Sequence, residues 1–440
     1  MSVINEVSNW IRNSITLKLA VIGILVLILL IPASMIQHLI TERSQSHKQV
    51  TSDITSKWGA SQIISGPILS VPFKIVSEKN GKILETVSYA HFLPEKLNIN
   101  GKIVPATRKR SIYKVILYNS SLILDGTFLK PDFKILNIPE ENVLWAEAFI
   151  TVGIPDLKGI RRTINIQWND QSFVGNPGVL SRDIVESGIN SRVPVNAETS
   201  LYKFSVNLDV NGSENISFAP LGKETHANLE SSWNSPGFNG AFLPEKSNVT
   251  PNGFTAEWNI LHLNRNYPQQ WTSSDKQTID ASEFGLDLIL PVDHYQKSTR
   301  SAKYAVMFLF LTFLGFFVNE LINKLRIHPV QYLLIGLALI IFYTLLLSIS
   351  EYAGFNIAYA IASLLTISLI TGYSFLILSR KGGVIIGLIL IALYGFLFVL
   401  LQLEEYSLLF GSIGLFVVLA CAMFASRKID WYSPMTDSQE

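Results

Sequence analysis

The segment LAVIGILVLILLIPASMI, residues 19–36, carries no charged side chain and is long enough to cross a lipid bilayer. Arg12 and Lys18 precede it, and no convincing small-x-small cleavage site follows it. We therefore predict an uncleaved signal anchor, with a kink at Pro32 near its outer end. A long polar stretch, residues 41–300, comes next, so the sequence predicts a large domain tethered to a membrane.

The composition is that of a membrane protein. Of the 440 residues 48% are hydrophobic and 16% are charged, and the mean hydropathy is +0.32. The net charge of +1 offers no electrostatic basis for binding nucleic acid. The single cysteine, Cys421, excludes an internal disulfide framework and the cysteine spacing of a zinc finger.

Five further apolar runs follow the polar stretch, each near the length that spans a bilayer. They cover residues 304–322, 330–350, 355–378, 384–403 and 408–425. Together with the anchor, taken as residues 19–40, they predict an α+β membrane protein with six transmembrane helices. The last five helices would form a bundle over residues 301–426, and residues 1–18 and 427–440 would be the cytoplasmic termini.

The charges between the apolar runs predict the orientation in the membrane. Lysine and arginine fill alternate loops and the tail, at Lys324, Arg326, Arg380, Lys381, Arg427 and Lys428. The charged residues of the opposite loops are glutamates, Glu351, Glu404 and Glu405. By the positive-inside rule both termini are cytoplasmic and the polar domain is periplasmic. A basic cluster at residues 297–303 argues against this orientation, but the short loops and the tail agree with one another.

Alternation of apolar and polar residues predicts β-strands in the polar domain. In YKFSVNLDV, residues 202–210, every second side chain is apolar, and FTAEWNIL at residues 254–261 alternates in the same way. Asn211-Gly212 is typical of a type I′ turn that leads into a return strand. We expect a mostly antiparallel β domain, built as a sandwich or as two related sheets.

The pentapeptide FLPEK occurs twice, at residues 92–96 and 242–246. A glycine-containing turn and an aromatic-rich strand follow each copy. Two interpretations stay open: a duplication with repeat units around residues 60–135 and 200–292, or a coincidence at a shared strand end. Proline stops a strand, and a lone glutamate without a histidine or second carboxylate forms no acid–base pair, so we interpret FLPEK as a fold element.

The sequence contains no recognisable motif for catalysis, cofactor binding or metal binding. None of the seven histidines has zinc-site spacing, and G-x-S-x-G, P-loop and G-x-G-x-x-G patterns are absent. Asp125-Gly126 is typical of a turn, and NPGVLSRD at residues 176–183 is typical of a loop. We therefore predict that the protein is not an enzyme and has no catalytic residue, no cofactor and no metal site.

Two sets of residues are candidates for function instead. Polar side chains inside a membrane are costly and often mark transport paths, and the candidates here are Asn319, Glu320 and Glu351. The junction PVDHYQKSTRSAKYAV joins the polar domain to the bundle through a charged collar with interfacial tyrosines. Its candidates for coupling the domain to the membrane helices are Asp293, Tyr295, Arg300, Lys303 and Tyr304. Ordinary anchoring is the alternative interpretation of the collar.

Several stretches resemble the CreD family of bacterial inner-membrane proteins, known as cell envelope integrity or colicin-tolerance proteins. They are SKWGASQIISGPILSVPF (56–73), FLPEKLNINGKIVP (92–105), RKRSIYKVILY (108–118) and PVDHYQKSTRSAKYAVMFLFLTF in the junction. The resemblance runs in collinear order along nearly the whole chain. It implies a Gram-negative inner-membrane location, expression tied to a two-component sensory system and an envelope that is perturbed by loss of the protein. It supplies no catalytic residue.

We expect a non-enzymatic factor in cell envelope integrity or the envelope stress response, whose periplasmic domain binds an unknown envelope protein or lipid. The alternative is a transporter or lipid-handling protein with its site in the five-helix bundle. Its path would be lined by Asn319, Glu320, Ser348, Ser350 and Asn356. An enzyme acting on envelope polymers is the third hypothesis. Membrane lipids are partners in each case, and nucleic acid in none.

Overall fold

The computed structural model describes residues 15–79, 82–289, 294–323, 325–403 and 407–426. The chain divides into two compact units. One contains residues 1–47 and 292–440, and the other is Lys48–Pro291. Described residues of the first unit are mainly helical and those of the second are mainly in β-strands. The polar stretch of the sequence therefore forms a unit of its own, the β unit.

Seven α-helices lie within the described residues. They are α1 (Ile15–Trp58), α2 (His294–Lys303), α3 (Ala305–Ile322), α4 (Pro329–Ala353), α5 (Phe355–Ile377), α6 (Arg380–Gln402) and α7 (Ser407–Ser426). Five of them, α1 and α3 to α6, are long and apolar enough to cross a membrane. Helix α7 has 20 residues and no charged side chain, and it completes the set. The predicted six-helix α+β membrane architecture is confirmed.

The ends of the bundle helices follow local rules. Helix α4 begins with Pro329, and the His328 ring accepts the Val330 N–H at 3.3 Å. The helix ends at Gly354, whose φ of +79° is open to glycine at little cost. Ser379 caps α6 by accepting the Gly382 N–H at 3.2 Å. A side-chain acceptor thus satisfies one of the first amides of α4 and one of α6.

Seventeen strands form two sheets in the described part of the β unit. They are β1 (Gln62–Lys79), β2 (Lys82–Phe92), β3 (Lys96–Arg110), β4 (Tyr113–Leu129), β5 (Phe149–Gly153), β6 (Asn165–Trp168), β7 (Gln171–Val174), β8 (Asn176–Pro177), β9 (Gly188–Arg192), β10 (Leu201–Ser213), β11 (Asn215–Phe218), β12 (Glu224–Ser231), β13 (Pro236–Gly240), β14 (Lys246–Thr250), β15 (Gly253–Leu261), β16 (Gln270–Thr272) and β17 (Phe284–Leu288).

The eight-stranded sheet has the order β14-β15-β12-β3-β4-β10-β6-β7. The nine-stranded sheet follows β13-β17-β11-β1-β5-β9-β8, with β2 paired to β1 and β16 paired to β2. Neighbours are antiparallel except for two pairs, β1 with β11 and β3 with β12. The prediction of a mostly antiparallel domain is confirmed.

One hydrophobic core joins the two sheets. Buried side chains of β1, such as Ile68 and Leu69, belong to the same cluster as Leu97 and Ile99 of β3 and Val206 of β10, and each is at most 1% exposed. Burying one such side chain stabilises the fold by about 2 kcal/mol. The alternation seen in the sequence thus places one face of the eight-stranded sheet in the core of a sandwich. Residues 64–73 of β1 and all of β5, in the nine-stranded sheet, are buried on both faces.

The predicted turn at Asn211-Gly212 is wrong. Both residues lie inside β10 and pair with Asn119 and Tyr118 of β4. The chain passes into the other sheet at Glu214, whose φ is +60°. The following strand β11 then pairs with β1 and β17. Continuous pairing with a long neighbouring strand outweighs the local turn preference.

The predicted turn at Asp125-Gly126 is also wrong, because both residues lie inside β4. Gly126 is paired with Leu97 of β3 and Phe204 of β10. A Cβ atom at position 126 would lie 1.9 Å from the Lys96 carbonyl oxygen. The glycine is therefore required by the close approach of a neighbouring backbone.

Both copies of FLPEK carry the chain from the nine-stranded sheet to the eight-stranded sheet. The first copy links β2 to the β3–β4 hairpin, and the second follows β13 and begins the β14–β15 hairpin. The Glu95 amide donates to the Thr127 carbonyl and the Glu245 amide to the Glu257 carbonyl, both at 2.8 Å. In each case the acceptor is the cross-strand partner of the lysine that follows. The motif marks the same kind of strand start twice, and a duplication of whole units stays a prediction.

Candidate functional site

Glu320, near the end of α3, is a buried carboxylate that joins three segments of the helical unit. It is 0% exposed. Its Oε1 forms an ion pair with Lys18 of α1 and accepts the Ile327 N–H at 2.8 Å, and its Oε2 accepts the Tyr332 hydroxyl of α4 at 2.9 Å. Both oxygens of the carboxylate are used, which offsets the cost of removing the charge from water.

Asn319, the second intramembrane candidate, is 5% exposed and packs between α3 and α6. Its Oδ1 accepts the Asn323 side-chain amide at 3.0 Å. A Cβ atom at Gly382 would lie 2.8 Å from the same oxygen. Glycine therefore allows the two helices to approach closely at this asparagine.

Helix α2, in the predicted collar, binds the ends of the membrane helices. The Tyr295 hydroxyl donates to Glu351 Oε1 at 3.1 Å, at the end of α4. The Arg300 guanidinium donates to the Leu403 carbonyl oxygen at 3.2 Å, just after α6. The structure thus brings two predicted coupling residues and one predicted intramembrane residue into a single network.

A second chain of hydrogen bonds extends this network. Lys297 donates to Gln402 Oε1 at 3.1 Å, and Gln402 donates to Asn356 Oδ1 of α5 at 2.8 Å. Lys303 is exposed and Tyr304 is half-buried at the junction between α2 and α3. Asp293 lies outside the described residues. The described part of the collar therefore fastens α2 to α4, α5 and α6, and the coupling role stays a proposal.

The polar candidates form two groups rather than one path. Tyr332, the partner of Glu320, and Glu351 lie near opposite ends of α4, about 28 Å apart at a rise of about 1.5 Å per residue. Aromatic rings pack between them, and Phe342 lies 4.7 Å from Tyr394 and 5.6 Å from Tyr359 between ring centroids. Each polar group is therefore best described as a helix-to-helix fastening.

The β unit contains a buried histidine that the sequence did not predict. His91 of β2 is 1% exposed, and its Nδ1 lies 2.9 Å from Ser70 Oγ of β1. Its Nε2 lies 3.3 Å from Asp183 Oδ2, which also accepts the hydroxyls of Ser181 and Ser273 at 2.5 Å. The predicted loop at residues 176–183 thus contains strand β8 and ends in a carboxylate that binds the sheet.

This cluster differs from a working Ser–His–Asp triad. Ser70, the hydroxyl on the ring nitrogen opposite the aspartate, is 2% exposed and out of reach of a substrate. Burial lowers the pKa of His91, and the hydrogen bond to Asp183 only partly offsets this. Burial raises the pKa of Asp183, but hydrogen bonds from Ser181, Ser273 and His91 outweigh it, and the net direction is down. A neutral His91 and an ionised Asp183 therefore fasten the loop to β1 and β2.

Of the asparagines on the outward surface of the eight-stranded sheet, five lie along two adjoining grooves. They are Asn98 and Asn100 on β3, Asn207 on β10, Asn228 on β12 and Asn259 on β15. We call them the amide face. Four are exposed, and Asn98 is half-buried, donating to Asp125 Oδ2 at 2.9 Å. The pattern follows from strand alternation, because the residues between them point into the core.

Two adjoining grooves follow the amide face. One, of about 510 Å³, is lined by Asn98, Asn100, Asn228 and Asn259, and it also touches Lys246 of the second FLPEK copy. The other, of about 610 Å³, is lined by Asn100, Asn207 and Asn228. Strand alternation was visible in the sequence, but the register that aligns these asparagines was not.

Ion pairs frame the amide face. Lys102 pairs with Glu230 at 3.0 Å and Arg162 with Asp209 at 3.3 Å. Lys246 pairs with Glu257 at 3.5 Å. Each of these six charges lies beside its opposite, so the three pairs add little net field at the amides. Among the described residues no group of three or more His, Cys, Asp or Glu side chains is arranged to hold a metal ion.

Comparison with known proteins agrees with this architecture. The family model described as inner membrane protein CreD matches residues 14–432. The inner membrane protein CreD of Escherichia coli (strain K12) is 33% identical over 419 residues, which covers 93% of this chain and 92% of that protein. The match includes the membrane helices and the whole β unit. The chain therefore belongs to the CreD family of inner membrane proteins.

Proposed function

We propose that this protein is a non-enzymatic factor in cell envelope integrity, whose β unit lies on the periplasmic side and binds an envelope partner. Both termini are cytoplasmic in this proposal. Support for the orientation comes from the alternate loops, where Arg326, Arg380 and Lys381 lie on one side and Glu351 on the other. A domain of this size, held by helices at both of its ends, is suited to reach a partner beyond the membrane surface.

The observation that carries the proposal is the amide face. Folding accounts for the inward half of the eight-stranded sheet, because those side chains form the core. It does not account for exposed asparagines on four strands, since asparagine is a poor strand former. A surface whose residues are unfavourable for the strands that carry them is where a binding function is expected.

The alternative of a transporter or lipid-handling protein finds less support. Its predicted path residues divide between the Glu320 cluster and the collar. Within the helix, the Ser350 hydroxyl donates to the Leu347 carbonyl at 2.8 Å, and Ser348 is exposed. These polar groups therefore bind within their own helix or lie apart from one another, and they do not line one path.

Site-directed photo-crosslinking of the full-length protein in living cells tests the proposal. A photoreactive residue replaces Asn228 in the amide face, Asn176 on the exposed strand β8 as a matched control, or Leu364 on α5, which is 67% exposed. Captured proteins, glycans and lipids are identified by mass spectrometry. We expect a specific envelope component at position 228 and none at 176. A specific lipid at 364 with nothing at 228 would favour the lipid-handling alternative.

A further inference from the structure

The register of the eight-stranded sheet sets the amides in two rows that cross the strands. In one row Asn259, His226, Asn98 and Asp125 are successive cross-strand partners. In the next row Glu257, Asn228, Asn100, Ile123 and Asn207 are successive partners. At about 4.8 Å between strands, the second row spans about 19 Å. The surface is therefore elongated across the strands and fits a linear ligand.

Four of the five amides in these rows are free to bind, and Asn98 is already bound to Asp125. Within the described part of the chain, no side-chain hydrogen bond to protein is found for Asn100, Asn207, Asn228 or Asn259. Each amide offers two N–H donors and a carbonyl acceptor at a fixed spacing. A hydroxyl group is likewise both a donor and an acceptor. The face therefore complements a ligand that carries many hydroxyl groups.

Other ligand classes fit the surface less well. A polyanion needs unpaired basic side chains, but the lysines and arginine that line the two grooves, Lys102, Arg162 and Lys246, are each paired with a carboxylate. A protein interface is usually anchored by buried aromatic side chains, and the two rows carry no Phe, Tyr or Trp. A lipid surface needs a broad apolar face, whereas Ile123, 47% exposed, is the apolar residue within the second row.

We propose that the amide face binds a glycan chain of the cell envelope, laid across β15, β12, β3, β4 and β10. Hydroxyl and acetamido groups of the chain exchange hydrogen bonds with Asn100, Asn207 and Asn228. The exposed side chain of Ile123 packs against the C–H face of a sugar ring. This inference rests on the proposed function and names the chemical class of its envelope partner.

Co-sedimentation with purified glycans tests the inference on the full-length protein in detergent. The probes are peptidoglycan sacculi, with lipopolysaccharide and a soluble glucan as competitors that distinguish the source of the glycan. The variant is Asn100→Thr/Asn207→Thr/Asn228→Thr, since threonine favours strands and keeps the fold while it removes the amides. Asn176→Thr is the matched control on the other sheet.

We expect the protein to bind one of the three glycans, and the triple variant to lose roughly tenfold or more in affinity, as the loss of several hydrogen bonds implies. The control should bind as the parent does. Equal binding by the parent and the triple variant, or binding to none of the glycans, would overturn the inference. If no glycan binds but a protein is captured at position 228 in cells, the ligand class is wrong and the proposed function stands. If neither is found, both fail.

Discussion

Lys18 and Glu320, which are 302 positions apart in the chain, form an ion pair in which the carboxylate is fully buried. The Lys18 side chain is 22% exposed on the protein surface, whereas the Glu320 side chain is not exposed. The pair ties the start of the first membrane helix to the end of α3. Two parts of the helical unit that are distant in sequence, the first membrane helix and the bundle, are thereby joined.

Removal of Lys18 should destabilise the helical unit more than removal of both charges. Lys18→Met leaves a buried, uncompensated carboxylate, and we expect a cost of about 3 kcal/mol. Lys18→Met/Glu320→Gln keeps the hydrogen-bond acceptor for Tyr332 without the charge and should cost less. Thermal unfolding in detergent measures these two variants and Glu320→Gln alone. A double variant as unstable as the sum of the single variants would contradict the coupling.

The β unit should lose stability in mild acid because of His91. Its folded-state pKa lies below the ordinary value of 6.5, so the unfolded chain takes up the proton first as the pH falls. The stabilisation is complete above about pH 6.5 and declines below it. The urea midpoint, followed by tryptophan fluorescence from about pH 7.5 to about pH 5.5, should fall more in a chain that keeps His91 than in the matching His91→Gln variant.

Glu283 acts in the opposite direction and must be removed for that measurement. Burial, with a smaller contribution from Asp280, raises the pKa of Glu283 from 4.5 to about 7. The folded chain then holds a proton that the unfolded chain releases, so stability falls as the pH rises through this range. At pH values above 7, Glu283→Gln should raise the urea midpoint of unfolding. The His91 comparison is made in that background. Equal pH profiles in Glu283→Gln and Glu283→Gln/His91→Gln would exclude His91 as the source.

Gly126→Ala should weaken the eight-stranded sheet. The added methyl group meets the Lys96 carbonyl oxygen at 1.9 Å and the Phe204 ring at 2.9 Å. A forced shift of a central strand costs about 1–3 kcal/mol. Gly178→Ala is a useful control, because nothing lies within 4 Å of its Cβ position, although its φ of +96° adds local strain. An urea midpoint for Gly126→Ala equal to that of the parent would contradict the close approach.

The orientation can be checked with single cysteines after Cys421→Ser. We expect Asn176→Cys in the β unit to react with a membrane-impermeant maleimide in cells with a permeabilised outer membrane. Lys381→Cys, at the start of α6, should react only after the inner membrane is opened. The reverse pattern would place the β unit in the cytoplasm and remove the basis of the envelope proposal.

The helical unit was predictable from sequence because the bilayer imposes a length. Each membrane helix must satisfy its own backbone within lipid, so uncharged runs of about 20 residues have few alternatives. The start of α4 at Pro329 and the end of α6 at Gln402 lie close to the predicted limits of 330 and 403. The alternation in residues 202–210 likewise identified strand β10, because one of its faces is buried.

The errors and omissions in the β unit have a common cause. Asn211-Gly212 and Asp125-Gly126 are typical turn dipeptides, yet both lie inside long strands whose partners come from elsewhere in the chain. The partners of His91 lie 21, 92 and 182 positions away from it in the chain, so no local spacing predicts the cluster. The amide face depends on register, which the hydrophobic pattern of single strands does not specify.

The most direct test of the envelope-binding account is complementation of a strain that lacks the protein. The full-length chain, Asn100→Thr/Asn207→Thr/Asn228→Thr and Asn176→Thr are expressed at equal levels, and membrane-perturbing detergents measure envelope integrity. We expect the parent and Asn176→Thr to restore resistance, and the triple variant to fail although it folds and inserts normally. Full restoration of resistance by the triple variant would contradict the claim that the amide face carries the function.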